Sequence, residues 1–113
     1  TPAGPTVQHS PGNIDYISGG AGEEERTAMT ARQAEFPLKV VFSAAGGEYL
    51  VADTLSVRSA KGEVLTVRDA GPLLMIKMPA GQYSFEATWH GKTERRAVTV
   101  GTKAQTLNWR FPG

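Results

Sequence analysis

From Leu38 onward, apolar and polar residues alternate with a period of two, and short turn-forming clusters interrupt the alternation at regular intervals. A period of two puts successive side chains on opposite faces of an extended strand, whereas a helix repeats its face every 3.6 residues. Seven such stretches are legible. Their apolar positions are Leu38, Val40 and Phe42; Leu55 and Val57, with Asp53 at the same parity; Leu65 and Val67; Leu74, Ile76 and Met78; Tyr83, Phe85, Ala87 and Trp89; Val98 and Val100; and Leu107, Trp109 and Phe111. Ala45-Gly46-Gly47, Ala60-Lys61-Gly62, Asp69-Ala70-Gly71-Pro72, Pro79-Ala80-Gly81, His90-Gly91 and Gly101-Thr102-Lys103 separate them. That is roughly the 8–12-residue spacing of an all-β sandwich. No helical period falls between strands, which disfavours a parallel βαβ sheet. The expectation is an all-β, seven-stranded antiparallel β-sandwich over residues 38–111 with one short N-terminal helix.

A chain of 113 residues has room for one such domain and a modest core. Its 13 glycines and 7 prolines exceed the usual ~12%, and many of them fall in the turns just named. With no cysteine in the sequence, a disulfide framework, a thiolate metal site and a Cys nucleophile are all excluded. Residues 1–22 are rich in Gly and Pro, with apolar residues isolated except around Ile14-Asp15-Tyr16-Ile17. They read as a flexible leader ending in a short sticky segment. Residues 23–36 read as a helix. Glu23, Glu24 and Glu25 favour its positive N-terminal end, and Pro37 stops it. Met29 and Phe36 are its only large apolar side chains, so it needs a surface to pack on. No stretch approaches the ~18 apolar residues of a membrane span, and insertion into a membrane is not expected. The chain starts at Thr1, as a mature exported protein or a trimmed chain would.

Pro79-Ala80-Gly81-Gln82-Tyr83 precedes the clearest strand, which closes on Trp89-His90-Gly91-Lys92-Thr93. Together with residues 50–57 and Gly62-Glu63-Val64, this pattern resembles the carboxypeptidase regulatory-like domain, a transthyretin-like (prealbumin-like), Ig-like β-sandwich. The resemblance covers residues 38–111 and marks Pro79, Gly81 and Tyr83 as a structural corner. Gly81 permits the tight backbone there, and Tyr83 buries its ring while its hydroxyl bonds nearby backbone, as in a tyrosine corner. The chain as a whole, including residues 16–26, is similar to small exported proteins of Gram-negative bacteria. The resemblance implies a periplasmic or secreted location and an accessory role beside other proteins, and it implies no catalysis.

Candidate chemistries fit this sequence less well than structural roles do. The two histidines, His9 in the leader and His90 in a predicted two-residue turn, lack the supported surroundings that a triad or a zinc site needs. Transthyretin-like hydroxyisourate hydrolases carry a C-terminal Tyr-Arg-Gly-Ser, where this chain has Trp109-Arg110-Phe111-Pro112-Gly113. Asp53 and Asp69 share the inward parity of their strands but lie beside turns, where carboxylates bond backbone N–H groups. No local acidic cluster supplies the oxygens that calcium requires. Lys39, Asn108 and Glu86 occupy strands suited to a Lys–Asn isopeptide bond, but each alternates with core-facing residues and should point to solvent. Neither a metal nor another cofactor is expected.

Charge is divided unevenly although the net is only +1. Residues 1–36 hold two Lys/Arg against five Asp/Glu, and residues 37–113 hold ten against six. The aromatic residues alternate to the other face from these cations, so the interleaving that nucleic-acid binding needs is missing. Two groups of candidate binding residues remain. Trp89 and Trp109, at strand ends, are candidate ligand platforms for a sugar ring, with core packing as the competing role. Val41, Val64, Leu73 and Met75 are apolar on faces expected to be wet. They form either a seat for the Met29/Phe36 helix or a protein-interaction patch, with Val41, Leu73 and Met75 as the interaction candidates. The resulting expectation is a non-catalytic extracytoplasmic binding or accessory module, its partner a protein or an envelope polymer. A carbohydrate-binding module and, last, a transthyretin-like hydrolase are the alternatives.

Overall fold

The computed structural model describes residues 8–9, 14–19 and 22–111, and among these the chain is mostly β, in two sheets. The elements are β1 (Gln8–His9), β2 (Asp15–Gly19), α1 (Glu23–Thr30), a 3-10 turn (Gln33–Glu35), β3 (Leu38–Ala44), β4 (Ala52–Ser59), β5 (Gly62–Ala70), β6 (Leu73–Lys77), β7 (Gly81–Trp89), β8 (Lys92–Val100) and β9 (Gln105–Phe111). One sheet has the order β1-β2-β6-β3-β9 and the other β5-β4-β7-β8. Their facing sides enclose a single apolar core that includes Leu38, Val40, Phe42, Leu55, Val57, Leu74, Ile76, Phe85, Trp109 and Phe111.

The seven alternating stretches become β3 to β9, and two features of the expected sandwich are corrected. Two further strands, β1 and β2, lie within residues 1–22, so the flexible-leader reading does not hold for Asp15–Gly19. That segment pairs antiparallel with β6, from Asp15↔Lys77 to Gly19↔Leu73. Ile17 is fully buried, and the Ser18 hydroxyl accepts a hydrogen bond from the Gly71 N–H at 2.9 Å. Residues 1–7, 10–13, 20 and 21 of that leader lie outside the described residues. The second correction is that the sheets are not wholly antiparallel, because β3 and β9 run parallel from Leu38↔Gln105 to Ala44↔Phe111. Alternation within one strand is the same whichever way its neighbour runs.

The helix is also shorter than its reading over residues 23–36. α1 ends at Thr30, the backbone leaves the α region at Arg32, and the 3-10 turn over Gln33–Glu35 brings Phe36 back onto the sheet. Arg32 and Glu35 bond side chain to side chain at 3.1 Å across this turn, which holds the Glu35 carboxyl below the usual glutamate range. α1 lies on the outer face of the first sheet. Met29 and Phe36 pack there with Ile17, Leu73 and Met75, and Val41 is half-buried at the margin. Burial on both faces explains why β6 reads as a continuous apolar run.

Three local geometries account for other departures from simple alternation. Ala52, rather than Asp53, is buried at the start of β4. Val64 is an extra residue in β5, since Val57 pairs with Leu65 while Arg58 pairs with Glu63. This bulge tucks Val64 against the main core, so Val64 plays no part in seating the helix. Gly71, at φ 97°, passes so close to Phe42 that a Cβ would lie 2.8 Å from the ring, leaving glycine as the fitting residue there.

β8 and β9, the neighbouring outer edges of the two sheets, are joined by side chains. The Gln105 amide donates to the Thr99 carbonyl and accepts from the Gly101 N–H, both at 2.8 Å. Trp109 Nε1 donates to Glu94 Oε1 at 3.1 Å, and Arg96 donates to the Asn108 carbonyl at 3.4 Å. Charged side chains turned inward along an edge strand are a common guard against edge-to-edge association.

Candidate functional site

Pro79, Gly81 and Tyr83 lie at or just before the start of β7, with Gly81 at φ 157°. The Tyr83 hydroxyl donates to the Pro79 carbonyl at 2.8 Å, and its ring packs against the main core. We expect Tyr83→Phe to lower the unfolding free energy by about 1 kcal/mol, the net worth of one hydrogen bond, read as a shift in urea midpoint with an unchanged slope. At the opposite end of β7, His90 and Gly91 both have positive φ, as a two-residue hairpin turn of the primed type requires. Asp53 Oδ2 accepts the His90 N–H at 3.0 Å, so this carboxylate holds a turn of the neighbouring hairpin. Asp69 itself has φ 52° at the last residue but one of β5.

The two tryptophans have different fates. Trp109 is fully buried, with its ring 5.8 Å from Phe42 and stacked 6.2 Å from Phe111. It offers no platform to a ligand, because the inward parity of β9 carries it into the core. Trp89 is half-buried, with Phe111 at 5.7 Å and the His90 ring edge-on at 4.5 Å. Its neighbours therefore occupy part of the surface that a sugar ring would stack on. Of the three protein-interaction candidates, Leu73 and Met75 are 3% and 0% exposed beneath α1, and are thereby withdrawn from any partner's reach. Val41 alone stays half-open. Lys39, Asn108 and Glu86 do not converge, since Glu86 lies on the second sheet bonded to Arg95 at 2.7 Å.

Beside Val41 the structure forms a groove that the sequence did not reveal. It is open and about 540 Å³ in volume, lined among others by Glu23, Arg26, Thr27 and Thr30 of α1, Lys39 and Val41 of β3, and Tyr49. The helix forms one wall because its apolar side is consumed by Met29, which leaves its threonines facing outward. Tyr49 forms the other wall. A single bridge, Ser43↔Tyr49, folds the loop after β3 back against that strand, and the ring is 54% exposed. The Arg26 guanidinium lies 4.7 Å above it, within range of a cation–π contact. Lys39 rises from the floor, in register with Met75 on one side and Thr106 on the other. It is half-buried, and among the described residues its side chain has no ion pair or hydrogen bond.

An apolar floor, an aromatic wall and a few convergent polar groups are the usual make-up of a binding cleft. The ammonium of Lys39 would attract a carboxylate, and Val41 and Tyr49 would cover adjoining apolar atoms. Among the described residues no group of three His, Cys, Asp or Glu side chains is placed to hold a metal ion, and no helix is long and apolar enough to cross a membrane. No family model matches this chain, and no curated protein matches it.

Proposed function

We propose that this protein is a non-catalytic binding module of the bacterial envelope, periplasmic or secreted. In this reading it is a carboxypeptidase regulatory-like, prealbumin-like sandwich that takes a carboxylate-bearing, partly apolar segment of a partner protein into the groove between α1 and β3. The observation that carries the reading is Lys39, a half-buried cation left without a side-chain partner on an otherwise apolar floor. A partly desolvated ammonium gains more from an incoming carboxylate than a fully solvated one does. The Pro79, Gly81 and Tyr83 corner supports the family, and the family's usual setting supports the location.

Selection of random hexapeptides on the full chain tests this. The expected peptides carry Asp or Glu next to an apolar residue. Their affinity should fall about tenfold or more with Lys39→Glu, in line with the loss of a charge-assisted bond, and should also fall with Tyr49→Ala. Peptides without an acidic residue, or binding unchanged by Lys39→Glu, would overturn the proposal.

A further inference from the structure

The outer face of the second sheet, on the side of the sandwich away from α1, carries a smaller and more enclosed concavity of about 240 Å³, lined by Arg58, Ser84, Glu86 and Arg95. Its shape follows from the register. Arg58 pairs with Ser84 and Ser84 with Ala97, so two small side chains follow Arg58 across the sheet. The neighbouring row is Ser56, Glu86 and Arg95. The missing bulk at Ser84 and Ala97 leaves a hollow with an arginine on each side. The β5 bulge sits at the outer margin, where it sets Glu63 opposite Arg58. The Glu63 carboxylate is engaged by the Thr66 hydroxyl.

The polar groups around this hollow are unequally used. Arg95 donates through Nε and Nη2 to the same Glu86 oxygen, at 3.0 and 2.7 Å. That leaves its remaining nitrogen and the second Glu86 oxygen available. Among the described residues, the Arg58 guanidinium has no ion pair or hydrogen bond and the Ser84 hydroxyl has no hydrogen bond. The hollow thus offers a planar cation and a hydroxyl on one side, and a paired donor and acceptor on the other. A guanidinium fork suits a carboxylate, while the Glu86–Arg95 pair can accept from and donate to neighbouring hydroxyl groups. The volume is of the order of one monosaccharide ring.

From this arrangement we infer a second binding site, for an acidic sugar of the uronic acid type. Arg58 and Ser84 take its carboxylate, and Glu86 with Arg95 takes its ring hydroxyls. The site is independent of the α1 groove and faces away from it. A chain with both would join an acidic polysaccharide on one face to a protein segment on the other.

The test is a titration of the full chain with D-glucuronate, D-glucose, acetate and inorganic phosphate, following the arginine Nε–H and backbone amide signals by NMR. The expected result is saturable shifts at Arg58, Ser84 and Arg95 with glucuronate, with a dissociation constant of the order of 1 mM. Glucose and acetate should each bind at least about fivefold more weakly. Arg58→Gln, an exposed substitution that leaves the core untouched, should weaken glucuronate about tenfold, and Ser84→Val should do likewise by filling the floor. Equal shifts with acetate or phosphate would reduce the site to a simple anion contact and overturn the inference. Shifts spread evenly over Arg68 and Arg110, or glucuronate binding unchanged by Arg58→Gln, would overturn it too.

Discussion

Trp109→Ala is expected to be the most damaging single substitution in the chain, lowering the unfolding free energy by about 3–5 kcal/mol. The indole is wholly enclosed and joins Phe42 and Phe111 in one aromatic cluster. It also ends the β8–β9 seam, where Nε1 holds Glu94 and the Arg96 guanidinium lies 5.0 Å from the ring. Truncation therefore removes packing and strips a partly buried carboxylate of its donor, two costs that add. Small domains have only about 5–15 kcal/mol in total, so the variant should melt far below the parent or fail to fold. Trp89→Ala, at a half-buried position, should cost clearly less. The comparison is made by urea denaturation followed by circular dichroism. An unperturbed midpoint for Trp109→Ala would mean that this side chain is a surface platform after all.

Deleting residues 1–22 should convert the protein from a well-behaved monomer or defined oligomer into an associating species. The deletion removes β2, and with it the partner of one edge of β6. It also takes Ile17 out of the cluster that seats Met29, Leu73 and Met75. A bare strand edge beside exposed apolar side chains is a template for pairing with another chain. Light scattering after size exclusion should show growth in mass, and a dye for apolar surface should light up. Ile17→Asp tests the same seat by a point change. A carboxylate forced into that dry cluster should cost about 3 kcal/mol, and should free α1 first. A deleted chain with the parent's mass and melting temperature would show that β2 is dispensable.

How much of this was legible in the sequence varies by element. Phe85 and Ala87 stood between polar neighbours and a tight hairpin, so strand, face and turn could all be read within a few residues of one another. Tyr83 was legible for the same reason, because its carbonyl partner, Pro79, is four residues away. The apolar run over Leu73, Leu74, Met75 and Ile76 announced a strand covered on both faces, and Met29 and Phe36 announced a helix in need of a seat. That Asp15–Gly19 would share in the covering was not legible, because five residues with one isoleucine and one tyrosine carry too little pattern to name a partner as far along the chain as Leu73–Lys77. Asp53 shares the parity of Leu55 and Val57, yet its place beside a turn pointed to a bond with backbone N–H, and its carboxylate accepts the His90 N–H.

The sites belong to the part that the sequence left open. Lys39 reads as one more polar residue alternating with Leu38 and Val40. It stands out only because α1 and Tyr49 close around it while its ammonium takes no side-chain partner among the described residues, although Glu23 also lines the groove. Arg58, Ser84 and Arg95 are 26 and 11 residues apart in succession, and they meet only through the pairing of β4 with β7 and of β7 with β8. Period, turn chemistry and the absence of cysteine, all local or countable properties, determined that this chain is a β-rich domain held by apolar faces. Which strands pair, in which direction, and which polar side chains are thereby stranded together was decided by tertiary structure, because those contacts form between residues that nothing in the local pattern links.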